Sequence, residues 1–444
     1  MVVWNFPPEC LSWIASLAGC LHARLAGRLA PLLLGILFAR GRRTVASWLR
    51  AAGLGADFQA YYYFVGSLGR QTEWLAGRLL RLLLQRLGGG ERLLFALDDT
   101  PTQRYGPKVQ GAGLHHHPSP GPTDQKFLYG HIWVALAWMV RHPCWGTIGL
   151  PVLAYLYVRR KHLASIPSRY GWTFRTKLEL AAALVTWLAR HVDRLGVTLW
   201  LVVDGFYAKR PFLRAALAVG AVVVGRLAKN AGLRSVPPPV APGQRRRGRP
   251  RKYGRPRLSL AKRAGHQRGW QPVECVQYGE RVTKTVKTFL ATWAPVGGVL
   301  RVVLVREEHR WLAYFCTDPQ ATVAQILEAA ADRTTIEQDF HDLKEVEGVG
   351  QQQVRNVWAN VGAFHLNLWA HALVELWAWG RPKAVLCDRS AAPWDDPERR
   401  PSHADRRKAL QRHCLEQAFS GARRARRLPR KIQHLVRALV HLVS

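Results

Sequence analysis

Residues 92–100 read RLLFALDDT and residues 197–204 read VTLWLVVD. Each is a short apolar run closed by acid: Asp98 and Asp99 end the first, Asp204 the second. Such runs suit buried strands. An acid at the end of an otherwise uncharged strand is costly unless it faces a cleft or a cation. Two such strands side by side would bring carboxylates within reach of shared metals, and an all-oxygen donor set suits Mg²⁺ or Mn²⁺. Taken singly, each acid is better read as a turn or helix N-cap, the chemistry that Asp99-Thr100-Pro101 and Asp204-Gly205 carry.

Outward from these runs, strands and helices alternate. Residues 131–140 and 148–157 read as further strands, although either fits a buried helix by period alone. Phe174, Leu178, Ala181, Leu184, Val185 and Leu188 share one helical face, and a helix near 208–218 precedes a strand at 220–226. This alternation predicts an α/β layer with part of its sheet parallel. Residues 1–90 read as helical, and 41–64 (GRRTVASWLRAAGLGADFQAYYYF) fit a helix-turn-helix or a plain bundle with Trp48, Leu49, Tyr62 and Phe64 as core, about equally. From 230 to 270 the chain turns Pro-, Gly- and Arg-rich, and β-like runs follow at 271–278, 281–290, 298–306 and 311–316. Helical spacing returns at 321–346 and 353–379, before an Arg-rich tail that also reads as helical.

The segment 331–348, ADRTTIEQDFHDLKEVEG, supplies a third acid. Arg333, Glu337 and Lys344 are four and seven residues apart, and at about 100° per residue they fall on one helix face. That suits a carboxylate aimed at metal with cations beside it for phosphate. A surface salt-bridge ladder has the same spacing, but the adjacent stripe of Ile336, Phe340 and Leu343 predicts a packed helix.

These pieces together resemble the DDE transposases of bacterial insertion sequences, in the branch whose last acid sits in a Tyr-x2-Arg-x3-Glu-x6-Lys signature. Arg333, Glu337 and Lys344 match that spacing, while Ala330 stands at the Tyr position. Asp98-Asp99-Thr100 resembles the family's Asp-x-Thr, which favours Asp98 over Asp99, and Asp204-Gly205-Phe206-Tyr207 looks like its second acid. Phe315-Cys316-Thr317-Asp318 resembles the closing strand before the last helix; the likeness spans roughly residues 40–380. The resemblance implies an RNase H-like α/β catalytic domain interrupted by a mainly β insertion, with a helical N-terminal DNA-binding region. Boundaries are expected at 1–90, 91–227, 228–318, 319–380 and 381–444, the last a basic tail. It further implies Asp98, Asp204 and Glu337 as metal ligands for two ions, with Arg333 and Lys344 on DNA phosphates. Cut-and-paste transposition on double-stranded DNA, in a homodimer, would follow.

Composition agrees with such a partner. Lys and Arg number 65 against 29 Asp and Glu, a net charge of +36, and so large an excess calls for a polyanion. The run RRRGRPRKYGRPR (245–257), with Arg247, Arg249, Arg251 and Lys252, resembles a minor-groove hook and equally fits a solvated loop gripping phosphates. Trp293 falls where related enzymes hold a flipped base, although with 18 Trp core packing is the better reading. His115-His116-His117, flanked by Gly and Pro, reads as polar surface in a loop. Seven scattered cysteines without a C-x-x-C pair predict neither disulfides nor a zinc site. With no signal peptide at the N-terminus, a cytoplasmic, nucleoid-associated protein is expected. A non-catalytic DNA-binding regulator and an RNase H-like ribonuclease remain the competing readings.

Overall fold

The computed structural model describes residues 5–116, 126–238, 251–389, 392 and 394–423. Six helices come first: α1 (Pro8–Ala18), α2 (Ala23–Ala26), α3 (Leu29–Phe38), α4 (Val45–Ala51), α5 (Phe58–Leu68) and α6 (Thr72–Leu87). The strands β1 (Arg92–Gln103), β2 (Gly113–His116), β3 (Phe127–His142) and β4 (Gly146–Tyr157) follow, then α7 (Lys177–Val192), β5 (Thr198–Val203), α8 (Arg210–Ala218) and β6 (Val222–Arg226). Within the sheet β4, β3 and β1 are antiparallel neighbours, while β1, β5 and β6 run parallel. This open mixed sheet is consistent with an RNase H-like domain.

The sheet does not stop at β6. After the short β7 (Leu233–Arg234), β8 (Arg257–Leu258) and α9 (Leu260–Gly265) come β9 (Gln271–Gln277), β10 (Glu280–Trp293), β11 (Gly298–Arg306) and β12 (Trp311–Cys316). Strand β12 pairs antiparallel with β6 through Tyr314–Arg226, Phe315–Gly225 and Cys316–Val224. The β-rich segment expected as an insertion therefore prolongs the same sheet edge to edge, in the order β6-β12-β11-β10-β7-β8. Gly225 makes that seam close: a Cβ there would sit 2.8 Å from the Phe315 ring.

Helices α10 (Val323–Asp332), α11 (Thr334–Glu345) and α12 (Val357–Ala378) return the chain to the first half of the sheet. Helix α12 is apolar on every side and buried almost throughout, so it must be enclosed rather than laid on a surface. It closes over β4, where a bulge at Leu136/Ala137 breaks the register. Trp369 Nε1 donates to Val152 O at 3.0 Å, and His365 Nε2 accepts from Ala154 N at 3.1 Å, satisfying backbone groups of the bulged strand. On its other flank α12 crosses α5 at two glycines. A Cβ on Gly69 would lie 1.9 Å from Trp358 O, and one on Gly362 2.0 Å from Val65 O.

That crossing joins the N-terminal helices to the rest of the chain. Helices α4 and α5 do flank a turn, at Gly53 (φ +66°), but Trp48, Leu49 and Phe64 belong to the same continuous core as α12 and the sheet. The tail expected from 381 is likewise structured within its described part. After α13 (Lys383–Leu386), α14 (His403–Arg423) buries Ala409, Leu410, Cys414 and Leu415. Two of its basic residues, Arg406 and Arg407, are buried, and Arg407 donates to Ile36 O at 2.8 Å. No described helix is long and apolar enough to cross a membrane.

Candidate active site

Parallel pairing of β1 with β5 ends at Leu97–Val203. Asp98 and Asp204 are the next residues on each strand, so the ladder itself sets the two carboxylates side by side. Asp98 does not end its strand, as the sequence suggested: β1 runs on to Gln103 because β3 still pairs with it, Asp98 opposite Ala135. The acid thus lies where one neighbour strand stops and the other continues.

Successive strand residues face opposite ways, and this separates the two candidate first acids. Asp98 turns toward α11, where Arg333 Nη1 lies 2.7 Å from its Oδ2. Asp99 turns toward α7 and α8; Lys177 Nζ sits 2.5 Å from its Oδ2 and Tyr207 donates its hydroxyl to Oδ1 at 2.9 Å. Both Asp99 oxygens are thereby committed to holding the first turn of α7 and the segment before α8. Asp204 accepts from the backbone N–H of Phe206 and Tyr207 through Oδ1, an Asx-turn. The turn chemistry read from the sequence coexists with a position beside Asp98.

Arg333 is the junction between α10 and α11 and keeps helical geometry (φ −56°, ψ −35°). One guanidinium therefore forks between two acids, Nη1 to Asp98 and Nη2 to Glu337 Oε1 at 2.6 Å. Asp98, Asp99, Asp204, Arg333, Glu337 and Lys344 all line one open cleft of about 1310 Å³. Among these six residues Glu337 is the exposed one, its side chain 58% accessible against 17% for Asp98. Ala330, at the signature's Tyr position, falls on α10.

Electrostatics mark the same place. Burial pushes the Asp98 carboxyl up to about 7, against the pull of Arg333 and with the push of Asp204. Burial also raises Asp204, and it lowers the Lys344 ammonium. For Arg333 burial works against the charge, but Asp98 and Glu337 outweigh it and raise its pKa. Asp98 and Asp204, whose charge burial resists, and Glu337, tied to Asp98 through Arg333, form an oxygen-only donor set that fits a divalent ion.

Other sequence candidates fall elsewhere. Arg247, Arg249 and His117 lie outside the described residues. Arg251 and Lys252 are exposed on a segment pinned at its base by the β7–β8 ladder, and neither lines the cleft. Trp293 ends β10 at 9% exposure, tilted onto Phe315 with centroids 5.5 Å apart: it packs the core. His115 is not loop surface but buried on β2, beside Tyr157.

The sequence reading missed Lys177, Tyr207 and a buried polar network behind α11. In that network His403 contacts Glu375 through Nδ1 (2.7 Å) and Glu347 through Nε2 (2.9 Å), stacked on His371 at 3.9 Å. Arg406 bonds the second oxygen of Glu375. His371, Glu375 and His403 are the group of described residues whose ligand atoms all lie within 4.8 Å, whereas the Asp98–Asp204–Glu337 set is held wider, around Arg333. With Arg406 and Arg407 already balancing its carboxylates, the buried network is a structural tie. No spacing rule reveals it, because its members come from three separate segments.

A family model described as DDE superfamily endonuclease matches residues 16–288 of the chain. The match includes Asp98 and Asp204 and ends before Glu337. No curated protein matches the chain.

Proposed function

The chain belongs to the DDE superfamily endonucleases, and we propose that it is a DNA transposase that cleaves transposon ends and joins them to target DNA. The observation that carries this reading is the in-register pair Asp98 and Asp204, tied through Arg333 to Glu337 across the cleft. The Arg333–Glu337–Lys344 spacing supports the transposase branch with the Tyr-Arg-Glu-Lys signature over other DDE nucleases, and with it an insertion-sequence origin.

Asp98, Asp204 and Glu337 would hold two Mg²⁺ or Mn²⁺ ions. When bound, such ions supply Lewis-acid activation of the attacking hydroxyl and screen charge gathering at phosphorus. Asp98, disfavoured as an anion by its burial, gains most from that company. Water attacks the phosphodiester, the P–O3′ bond breaks, and a 3′-hydroxyl and a 5′-phosphate result. The 3′-hydroxyl then attacks a target phosphodiester, forming one P–O bond and releasing one. Arg333, with donors on both sides of the cleft, and Lys344 would contact phosphate oxygens and offset their growing charge. Asp99, anchored by Lys177 and Tyr207, positions the strand rather than reacting.

The described cationic surface, and Arg251 and Lys252 at the base of the basic loop, suit double-stranded DNA. Pairing two transposon ends requires two copies of the chain, hence a homodimer on DNA. The test is metal-dependent nicking of a duplex carrying the element's own end. Binding without nicking would favour a regulator, and cleavage of RNA–DNA hybrids without need of an end would favour a ribonuclease.

A further inference from the structure

Beyond the carboxylates the cleft runs into a second cavity, of about 470 Å³, and the two share Arg104, Tyr105 and Gly106. Three loops far apart in sequence wall this cavity. The turn before α4 brings Arg42, the loop after β1 brings Arg104 and Lys108, and the loop after α11 brings Arg355. No acidic residue lines it. Among the described residues none of these four cations is ion-paired to a carboxylate.

Arg104 is the telling member. It is 4% exposed, yet its Nη1 alone has a partner, Gly350 O at 2.8 Å, while buried Nε and Nη2 have none. Burial with no compensating carboxylate holds the guanidinium down to about 10. A buried cation with idle donors is costly in a finished structure and is relieved when an anion arrives. Arg42 stacks over the exposed Tyr105 ring at 5.4 Å, while Lys108 and Arg355 stand exposed around the opening.

We infer that this cavity is a phosphate-binding pocket that takes a DNA backbone phosphate remote from the cleaved one. This rests on the DNA reading above and deepens it. Arg104 follows Asp98 by six positions along the same strand line, so the pocket lies about 20 Å from the carboxylates at roughly 3.3 Å per residue. For a duplex laid along β1, at about 3.4 Å of axis per nucleotide, the phosphate it grips is roughly six nucleotides from the scissile bond. A phosphate there fixes the duplex's register without reading its sequence.

The experiment titrates the full-length protein with a duplex of arbitrary sequence across a salt series, wild type against the Lys108→Ala/Arg355→Ala double variant. Expected is an affinity loss of about tenfold or more, and a log–log salt slope shallower by roughly one to two for the lost phosphate contacts. On a duplex carrying the element's own end, a scan of single neutral methylphosphonate linkages should weaken the wild type when the linkage falls about six nucleotides from the cleaved bond, and leave the double variant indifferent there. Equal affinity and slope for both proteins overturn the pocket. A wild type that shows no metal-dependent cleavage of the duplex carrying the element's own end overturns the transposase reading instead. Should the wild type not bind duplex at all, a thermal-shift titration with inorganic phosphate decides. Stabilisation of the wild type and not of the double variant upholds a phosphate pocket, and no stabilisation of either removes it.

Discussion

Arg333 Nη1 lies 2.7 Å from Asp98 Oδ2, joining a helix junction to the middle of a strand 235 residues earlier. Its second amino group reaches Glu337, so one guanidinium balances charge on two of the cleft's acids.

Replacing Arg333 by Ala leaves Asp98 buried beside Asp204 without its cation. Stability in chelator should fall by roughly 1–3 kcal/mol, the cost of stranding a buried polar partner. Mg²⁺ should restore more of that loss in Arg333→Ala than it adds to the wild type. Paired thermal melts with and without Mg²⁺ measure this; an Mg²⁺ response equal in both proteins would contradict it.

Asp98→Asn, Asp204→Asn and Glu337→Gln should each cut single-turnover strand cleavage by about a thousandfold or more, equivalent to about 4 kcal/mol at the transition state. Duplex binding should stay within a few-fold. Asp99→Asn, on the opposite face, should cost far less in cleavage rate and more in melting temperature. Were Asp99→Asn as inactive as Asp98→Asn, the assignment of the first acid would have to be revised.

The network around His403 predicts a pH window. Burial opposes its charge, but Glu347 and Glu375 raise its pKa from 6.5 to about 9. For the two glutamates burial raises and Arg407, Arg406 and His403 lower, to about 2 each. A raised cationic pKa stabilises fully below 6.5 and is lost as pH climbs through 9; depressed acids stabilise above 4.5 and are lost as pH falls toward 2. The contribution of these three groups to the urea midpoint, read as the difference between wild type and His403→Gln, should therefore be flat from about pH 4.5 to 6.5 and decline on both sides. His403→Gln should lose roughly 3–5 kcal/mol at pH 6 and abolish most of the alkaline decline.

Gly362→Ala places a methyl group 2.0 Å from Val65 O, where α5 and α12 cross backbone to backbone. The helices must separate, and unfolding free energy should drop by about 1–3 kcal/mol or more. Gly66→Ala, next to Val65 on α5 but facing open space, should be near neutral or mildly stabilising, and comparing the two denaturation curves isolates the clash.

Periodicity read the order of strands and helices closely, because each element buries a face that its apolar spacing advertises. The strand at 92–98 and its extension to Gln103 differ for an instructive reason: the added residues are held by β3 rather than by their own apolarity. Thr100 and Thr102 share the face of Asp98 and are buried, and strand parity would have added Arg104 to that line. What stayed hidden was non-local. Nothing in the spacing of Arg407, Gln411 or His403 tells that an Arg-rich end packs beneath α3.

The seam between β6 and β12 has one more consequence. A shortened gene in which residues 228–318 were excised and the flanks rejoined would not free a tidy minimal enzyme. It would strip the hydrogen-bonding rim of β6, leaving Val224 and Gly225 as a ready template for a stranger's strand. Evolution could decorate this segment at its far margin, around β8 and β9, but could discard it only by capping the rim anew.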